Sequence, residues 1–214
     1  MLKKEHALNS TMTDDNTKNK GYKHYMGLLN RLFTHAKLRR ALEKIRIPLG
    51  VALVILLFIY GRPEMFIPAV VISLFGELIQ MWSSGSLEKN VVLTIRGPYC
   101  LVRNPMYLGR FFVILGALLL LKNIYIMVIY VAAFFYYAVN RVKREEKHLI
   151  EIFGEPYLDY CNQVDRFMPR PGACETKDTL FFRFRLLVRN NEHLNFIALL
   201  AFYIAFYIIS AITR

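Results

Sequence analysis

Polar and apolar positions along this chain separate into long blocks rather than mixing evenly. Residues 1–22 hold Lys, Asn, Thr and Asp with almost no aliphatic run, which predicts a disordered tail. From there Leu28, Leu29, Leu32, Phe33, Ala36, Leu42 and Ile45 recur at helical spacing, with Arg31, Lys37, Arg39, Arg40, Lys44 and Arg46 between them. Over 23–46 this predicts a basic amphipathic helix, lying on an anionic leaflet or packing its stripe against protein. Ile47–Tyr60 follows without a charge. It reaches about 21 Å as a helix, against roughly 30 Å of hydrocarbon. Gly61-Arg62-Pro63-Glu64 is a turn, and Met65–Trp82 is a second span carrying Glu77 and Gln80. A carboxylate inside a span faces protein or water, or sits near the interface.

Residues 83–105 are polar and marked by Gly and Pro. Two apolar runs then follow, Met106–Leu121 and Ile124–Tyr137, split only by Lys122-Asn123. They predict a helical hairpin. The second run passes without a Gly or Pro into Asn140-Arg141-Val142-Lys143-Arg144-Glu145-Glu146, so one long helix is expected to leave the bilayer and continue into water. Residues 151–177 are turn-rich. Leu180–Arg189 alternates Phe and Leu with arginines, as an interfacial helix would, and Leu194–Ile212 is an uncharged final span. The expected fold is an all-α integral membrane protein with about five transmembrane helices and a cytosolic catalytic region. Its expected parts are the 1–22 tail, the 23–46 interfacial helix, a core over 47–177, and an interfacial helix plus final span over 178–214.

Charge sets the expected orientation. Residues 1–46, 83–110 and 141–189 hold eleven, four and ten Lys+Arg, whereas the opposite turns and end hold only Arg62, Lys122 and Arg214. That bias puts the N-terminus and both large polar segments in the cytoplasm. No apolar segment near the start predicts a cleavable signal. Composition narrows the classes further. With 55% hydrophobic residues and a net charge of +12, the chain is too greasy for a disordered protein. Nor does it fit a nucleic-acid module, which would carry its basic residues on a polar fold. Cys100, Cys161 and Cys174 make an odd count without paired spacing, so no disulfide framework or metal knuckle is expected. The five histidines are scattered and no metal site is expected.

Two segments on the expected cytosolic side offer chemistry. Gly97-Pro98-Tyr99 and Arg103-Asn104-Pro105-Met106-Tyr107-Leu108-Gly109 form a rigid bend leading into a helix. Pro105 suits a helix start, whose free N–H groups can receive an anion. Tyr99 and Tyr107 can wall an adenine or attract a sulfonium. The bland alternative is a loop-to-helix cap with interfacial tyrosines. In the second segment, Arg141 and Glu145 are four apart on one helix face. Either they grip a ligand's acidic and hydroxyl or ammonium groups, or they form a solvated ion-pair ladder.

The ordered series Gly97-Pro98-Tyr99, Arg103-Asn104-Pro105-Met106-Tyr107-Leu108-Gly109, an apolar hairpin, Arg141…Glu145-Glu146, and Phe153-Gly154-Glu155-Pro156-Tyr157…Tyr160 resembles the isoprenylcysteine carboxyl methyltransferase family, within the phospholipid methyltransferase-like superfamily. It covers about residues 70–170. The resemblance implies a membrane methyltransferase using S-adenosyl-L-methionine and acting on a lipidic or prenylated small-molecule or protein acceptor. It implies cofactor contacts from Val91, Val92, Leu93 and Thr94, from Tyr99, from Asn104, Pro105, Met106 and Tyr107, and from Glu145. Arg141 falls on the position that holds the acceptor. Asn104 departs from the family motif, which more commonly has His; Asn forms hydrogen bonds but does not titrate near neutrality.

Transfer from a sulfonium needs alignment and partial desolvation. A carboxylate acceptor needs no base, whereas an amine or thiol does, and only Glu145, Glu146 or His148 stand near. Carboxyl O-methylation is therefore preferred to phospholipid N-methylation. An NADPH-dependent sterol-type membrane reductase and a non-catalytic lipid- or partner-binding membrane protein are the other readings.

Overall fold

The computed structural model describes residues 36–88, 92–169 and 176–213. The tail predicted over 1–22, and the basic helix predicted over 23–46 as far as residue 35, lie outside the described residues. Among those described there is no strand. The helices are α1 (Ala36–Tyr60), α2 (Phe66–Ser86), α3 (Pro105–Leu119), α4 (Ile124–Phe153), α5 (Glu155–Gln163), α6 (Thr176–Thr179), α7 (Phe184–Arg189) and α8 (Glu192–Ile212), with 3-10 turns at Pro63–Met65 and Gly97–Cys100. The chain divides into two compact units after Ile55. Of the first, α1 is described up to that point, an apolar helix over Ile47–Ile55 that runs through Pro48 without a break. All that follows concerns the second unit, Leu56–Arg214.

Three helical stretches are long and apolar enough to cross a membrane: Pro63–Ser86, Ile124–Phe153 and Glu192–Ile212. Ile47–Tyr60 and Pro105–Leu119 are apolar but shorter. At 15 residues α3 spans about 22 Å, less than a hydrocarbon core. The hairpin forms as its pattern predicts. Asn123 caps α4 by accepting from the amides of Tyr125 and Ile126 at 3.0 and 3.2 Å, which supplies partners for two otherwise unmet N–H groups. Helix α4 then runs unbroken for 30 residues to Phe153, since nothing interrupts it before Gly154 and Pro156.

The tightest contact joins α2 and α3. Buried small residues of α2 (Ala69, Ser73 and Gly76) form a stripe against Gly109 and Gly116 of α3. Small side chains let two apolar helices approach until their backbones touch, the usual way to gain dispersion where lipid offers no hydrophobic drive. A Cβ at Gly76 would lie 2.5 Å from the Gly109 carbonyl oxygen and 2.6 Å from the Val113 nitrogen, both backbone atoms that cannot move aside. Gly76→Val should therefore force the helices apart and cost about 1–3 kcal/mol or more, read as a lower melting temperature of the detergent-solubilised chain; an unchanged melt would refute this packing.

Polar groups fasten the same region. The Ser73 hydroxyl donates to the Val113 carbonyl at 2.9 Å and lies 2.7 Å from the Tyr203 hydroxyl, which itself reaches the Ala69 carbonyl at 3.0 Å. Phe58, Phe66, Phe202, Tyr203, Phe206 and Tyr207 interlock α8 with α2 and the last turn of α1. Glu77 is buried, 2% exposed, and accepts from the Gln80 amide at 3.2 Å; it faces protein, one of the placements its sequence position left open. At one end the two turns meet: the Arg62 amide donates to the Leu120 carbonyl at 2.6 Å and Lys122 pairs with Glu64 at 2.8 Å. At the other end the α7 region is strapped to α2. The Arg183 amide donates to Gly85, and Asn190 to Ser84 and Leu87. Only Phe184–Arg189 of the interfacial helix predicted over Leu180–Arg189 is helical; Phe181 instead sits between the guanidiniums of Arg96 and Arg183, 5.6 and 5.0 Å from its centre.

Candidate functional site

The predicted chemistry gathers at the end of the molecule where α2 finishes and α3 begins. Gly97 adopts φ +65°, a conformation open to glycine, and a Cβ there would run into the Ser86 side chain. Pro98 then starts a short 3-10 turn that buries Tyr99 and Cys100. The Tyr99 carbonyl accepts from the Tyr160 hydroxyl at 2.6 Å, so α5 is tied to this turn. Burial pushes the Tyr160 phenol well above its ordinary range, so it remains a protonated donor. Burial also raises Tyr99, and the Glu192 carboxylate adds to it. Cys100 is disulfide-bonded and Cys161 is free. The expectation was of no disulfide framework; a single bridge lies outside it, because spacing along a chain does not report approach in space.

Asn104 stands at the start of α3, with Pro105 as its first residue. The Asn104 side chain does not cap the helix. Its amide donates instead to the Arg166 carbonyl at 3.2 Å. Three residues on, Tyr107 is 9% exposed and packs with Ala138 and Val142 of α4, beside Phe134 and Phe167. Its hydroxyl donates to Glu145 Oε1 at 2.9 Å, and the same oxygen accepts from Arg141 Nε at 2.9 Å. The Arg110 guanidinium lies 5.9 Å from the Tyr107 ring centre. The motif before the hairpin and the acidic stretch after it thus meet, 38 residues apart in sequence, through one carboxylate.

The remaining predicted residues divide. Pro105 is buried and Met106 half-buried beside Tyr107. Leu93 packs with Tyr157, Tyr160 and Val164, away from the carboxylate. Val92 is exposed, and Thr94 accepts from the Glu88 amide at 3.3 Å. Val91 lies outside the described residues. Tyr99 is buried, and its carbonyl is held by Tyr160 of α5 rather than by any group of the Tyr107–Glu145 pair. His148 is exposed and lies 3.8 Å from Glu151.

Sequence reasoning missed a second carboxylate cluster. Glu146, the neighbour of Glu145, receives Arg166 through two bonds (Nε to Oε1 at 2.9 Å, Nη2 to Oε2 at 2.5 Å) and Arg103 at 3.3 Å. The Glu doublet was the visible signal; its partners come from segments 20 and 43 residues away. Chemically, the site offers a carboxylate held from two sides, an aromatic wall, and a half-exposed arginine that pairs with Glu145 and also interacts with Tyr107. A carboxylate beside an aromatic face suits the hydroxyls and positive charge of S-adenosyl-L-methionine. Among the described residues no cluster of His, Cys, Asp and Glu could hold a metal ion.

The profile of the phospholipid methyltransferase family matches residues 49–156, just over half of the chain. Seven curated relatives carry the name protein-S-isoprenylcysteine O-methyltransferase, three of which follow. That of Saccharomyces cerevisiae is 38% identical over 82 residues, covering 38% of this chain and 34% of that protein. That of Xenopus laevis is 32% identical over 112 residues, 47% of this chain and 39% of its own. The human protein is 32% identical over 107 residues, 44% and 38%. The matched stretch thus spans between a third and two-fifths of these relatives' length. No solved structure matches the chain.

Proposed function

The chain belongs to the phospholipid methyltransferase family, and from that membership we propose that it is an integral-membrane enzyme that transfers a methyl group from S-adenosyl-L-methionine to a lipidic or prenylated acceptor, at a carboxylate. The contact that carries this reading is Glu145, shared between Tyr107 and Arg141. The relatives' name, isoprenylcysteine O-methyltransferase, points to the same acceptor chemistry. In this reading residues 47–177 form the methyltransferase core. Five helices cross the bilayer, counting the two short ones, and the 83–105 and 141–189 segments face the cytoplasm.

S-adenosyl-L-methionine supplies, when bound, a methyl carbon made electrophilic by its sulfonium. The chain's part is to hold and orient. Glu145, fixed from both sides, would accept hydrogen bonds from the cofactor's polar groups, and the segment Asn104–Tyr107 would hold it. In the same reading the stretch 91–94 would touch the cofactor through its backbone, with Tyr99 beside it, since the side chains of Leu93 and Tyr99 are spent on packing. Arg141 pairs with Glu145 and would face the acceptor carboxylate, so positive charge aligns a group that is already ionised. Phe134 and Phe167 exclude water next to Tyr107. No base is required for this acceptor, in keeping with the exposed position of His148 and with Asn104 in place of an imidazole.

The test is radiolabelled methyl transfer from S-adenosyl-L-methionine into extracted membranes. The expected label is base-labile, as an ester is. Base-stable methylamine would instead favour a phospholipid amine acceptor. S-adenosyl-L-homocysteine should raise the melting temperature of the solubilised chain by mass action, by about 2.7 kcal/mol of stability at a hundred times its Kd. A shift with NADPH and none with S-adenosyl-L-homocysteine would favour a reductase.

A further inference from the structure

Beyond α5 the chain turns back across the start of α3, and its backbone there carries part of the site. The Arg103 amide donates to the Asp165 carbonyl at 2.9 Å, and the Asn104 side chain donates to the next carbonyl, that of Arg166, at 3.2 Å. Phe167 then packs onto Tyr107, Ala138 and Val142, with its ring 6.3 Å from that of Phe135. The segment is held by the Arg166 side chain, which reaches the Glu146 carboxylate with two nitrogens at 2.9 and 2.5 Å. Glu146 is itself only 10% exposed at its side chain and is steadied by Arg103. A planar fork on a carboxylate fixes direction as well as distance, which an ammonium does not. One carboxylate of α4 therefore faces Tyr107 and Arg141, while its neighbour in sequence sets the carbonyl that orients Asn104.

We propose that Arg166 is a positioning residue for the donor site: its fork on Glu146 holds residues 165–167 so that the Arg166 carbonyl fixes the Asn104 side chain and Phe167 backs Tyr107. This rests on the reading of the site as an S-adenosyl-L-methionine pocket. Arg166 reaches the ligand only through the residues it holds. The segment has other anchors, the Arg103 amide and the buried Val164 beside Tyr157 and Tyr160, so loss of the fork loosens 166–167 without releasing α5.

The test uses the full chain in lipid nanodiscs, with S-adenosyl-L-homocysteine as the probe and calorimetric titration as the readout. Arg166→Ala should weaken binding on the order of tenfold. Arg166→Lys, which keeps charge but not the fork, should fall between it and the wild type. In an Asn104→Ala background the further loss from Arg166→Ala should be clearly smaller than in the wild type, about threefold, because one of its two routes is already cut and only the one through Phe167 remains. The KM for the acceptor should stay put while that for the donor rises, a split that general loosening of the fold would not give. Unchanged affinity in Arg166→Ala, or fully additive losses in the double variant, overturns the proposal. Hydrogen exchange of the peptide containing Arg103 reports whether Arg166→Ala keeps its local fold. If that protection is lost, Arg166→Lys decides, and wild-type affinity there overturns the proposal. A wild-type chain that binds no S-adenosyl-L-homocysteine overturns the functional reading and this proposal together, a result distinct from additive losses in a chain that binds.

Discussion

Replacing Glu145 by alanine is expected to weaken S-adenosyl-L-homocysteine binding on the order of a hundredfold or more, the largest effect of any single change in the site. The carboxylate is an acceptor for the proposed ligand and also the joint between α3 and α4. Its removal leaves the Tyr107 hydroxyl, on a side chain 9% exposed, without its acceptor at 2.9 Å, and strips Arg141 of its counter-charge. Glu145→Gln keeps an acceptor oxygen but loses the charge, so its loss should be smaller. Glu151→Ala on the same helix, whose side chain is exposed and meets only His148 at 3.8 Å, should leave binding within about twofold. Titration of the reconstituted variants checks this. Equal binding by Glu145→Ala and wild type would remove Glu145 from the site.

Arg141→Ala should separate the two substrates. Tyr107 still holds Glu145 from the α3 side after the guanidinium is gone, so donor affinity should change by no more than about threefold. The Arg141 side chain is 43% exposed and its pair with Glu145 adds little to stability. The acceptor, by contrast, loses its only proposed charged partner. Its kcat/KM should fall by on the order of a hundred- to a thousandfold, since alignment of an ionised nucleophile is what this chain contributes. The measurement is initial rate against acceptor concentration at saturating donor. A variant that loses donor binding and acceptor turnover in equal measure would place Arg141 in the donor pocket instead.

What could be read from the chain, and what could not, follows from the range of each interaction. Helix α4 was legible over most of its length because one uninterrupted pattern runs on from Ile124 past Glu146; its last turn, Glu151–Phe153, had been assigned to the turn-rich region and is helical up to Gly154. The Arg141–Glu145 face was equally legible, since i,i+4 neighbours are set by helical geometry alone. The pairing of Tyr107 with Glu145 came from motif order, not from any local rule. The Glu146–Arg166 fork was invisible: Arg166 sits in a Pro- and Asp-containing stretch with no periodicity, and its meaning arises only when α5 turns the chain back. Glu77 was ambiguous for a related reason. Its place within the α2 stripe decides its burial, and that depended on α3 and α8 covering it. The close approach of α3 to α2 at Gly109 and Gly116 was not legible either, because a single glycine in an apolar run does not say which helix it meets.

Helix α4 also works as a depth gauge. Glu145 lies 21 positions after Ile124, about 32 Å along the axis, slightly more than the roughly 30 Å thickness of a bilayer's hydrocarbon. If Ile124 enters at one boundary, the carboxylate surfaces at the other, where acyl chains give way to headgroups. On the proposed reading, a lipidic acceptor would keep its tail among lipids while its polar terminus reaches the level of Glu145, avoiding the ~0.8 kcal/mol per methylene needed to lift that tail into water.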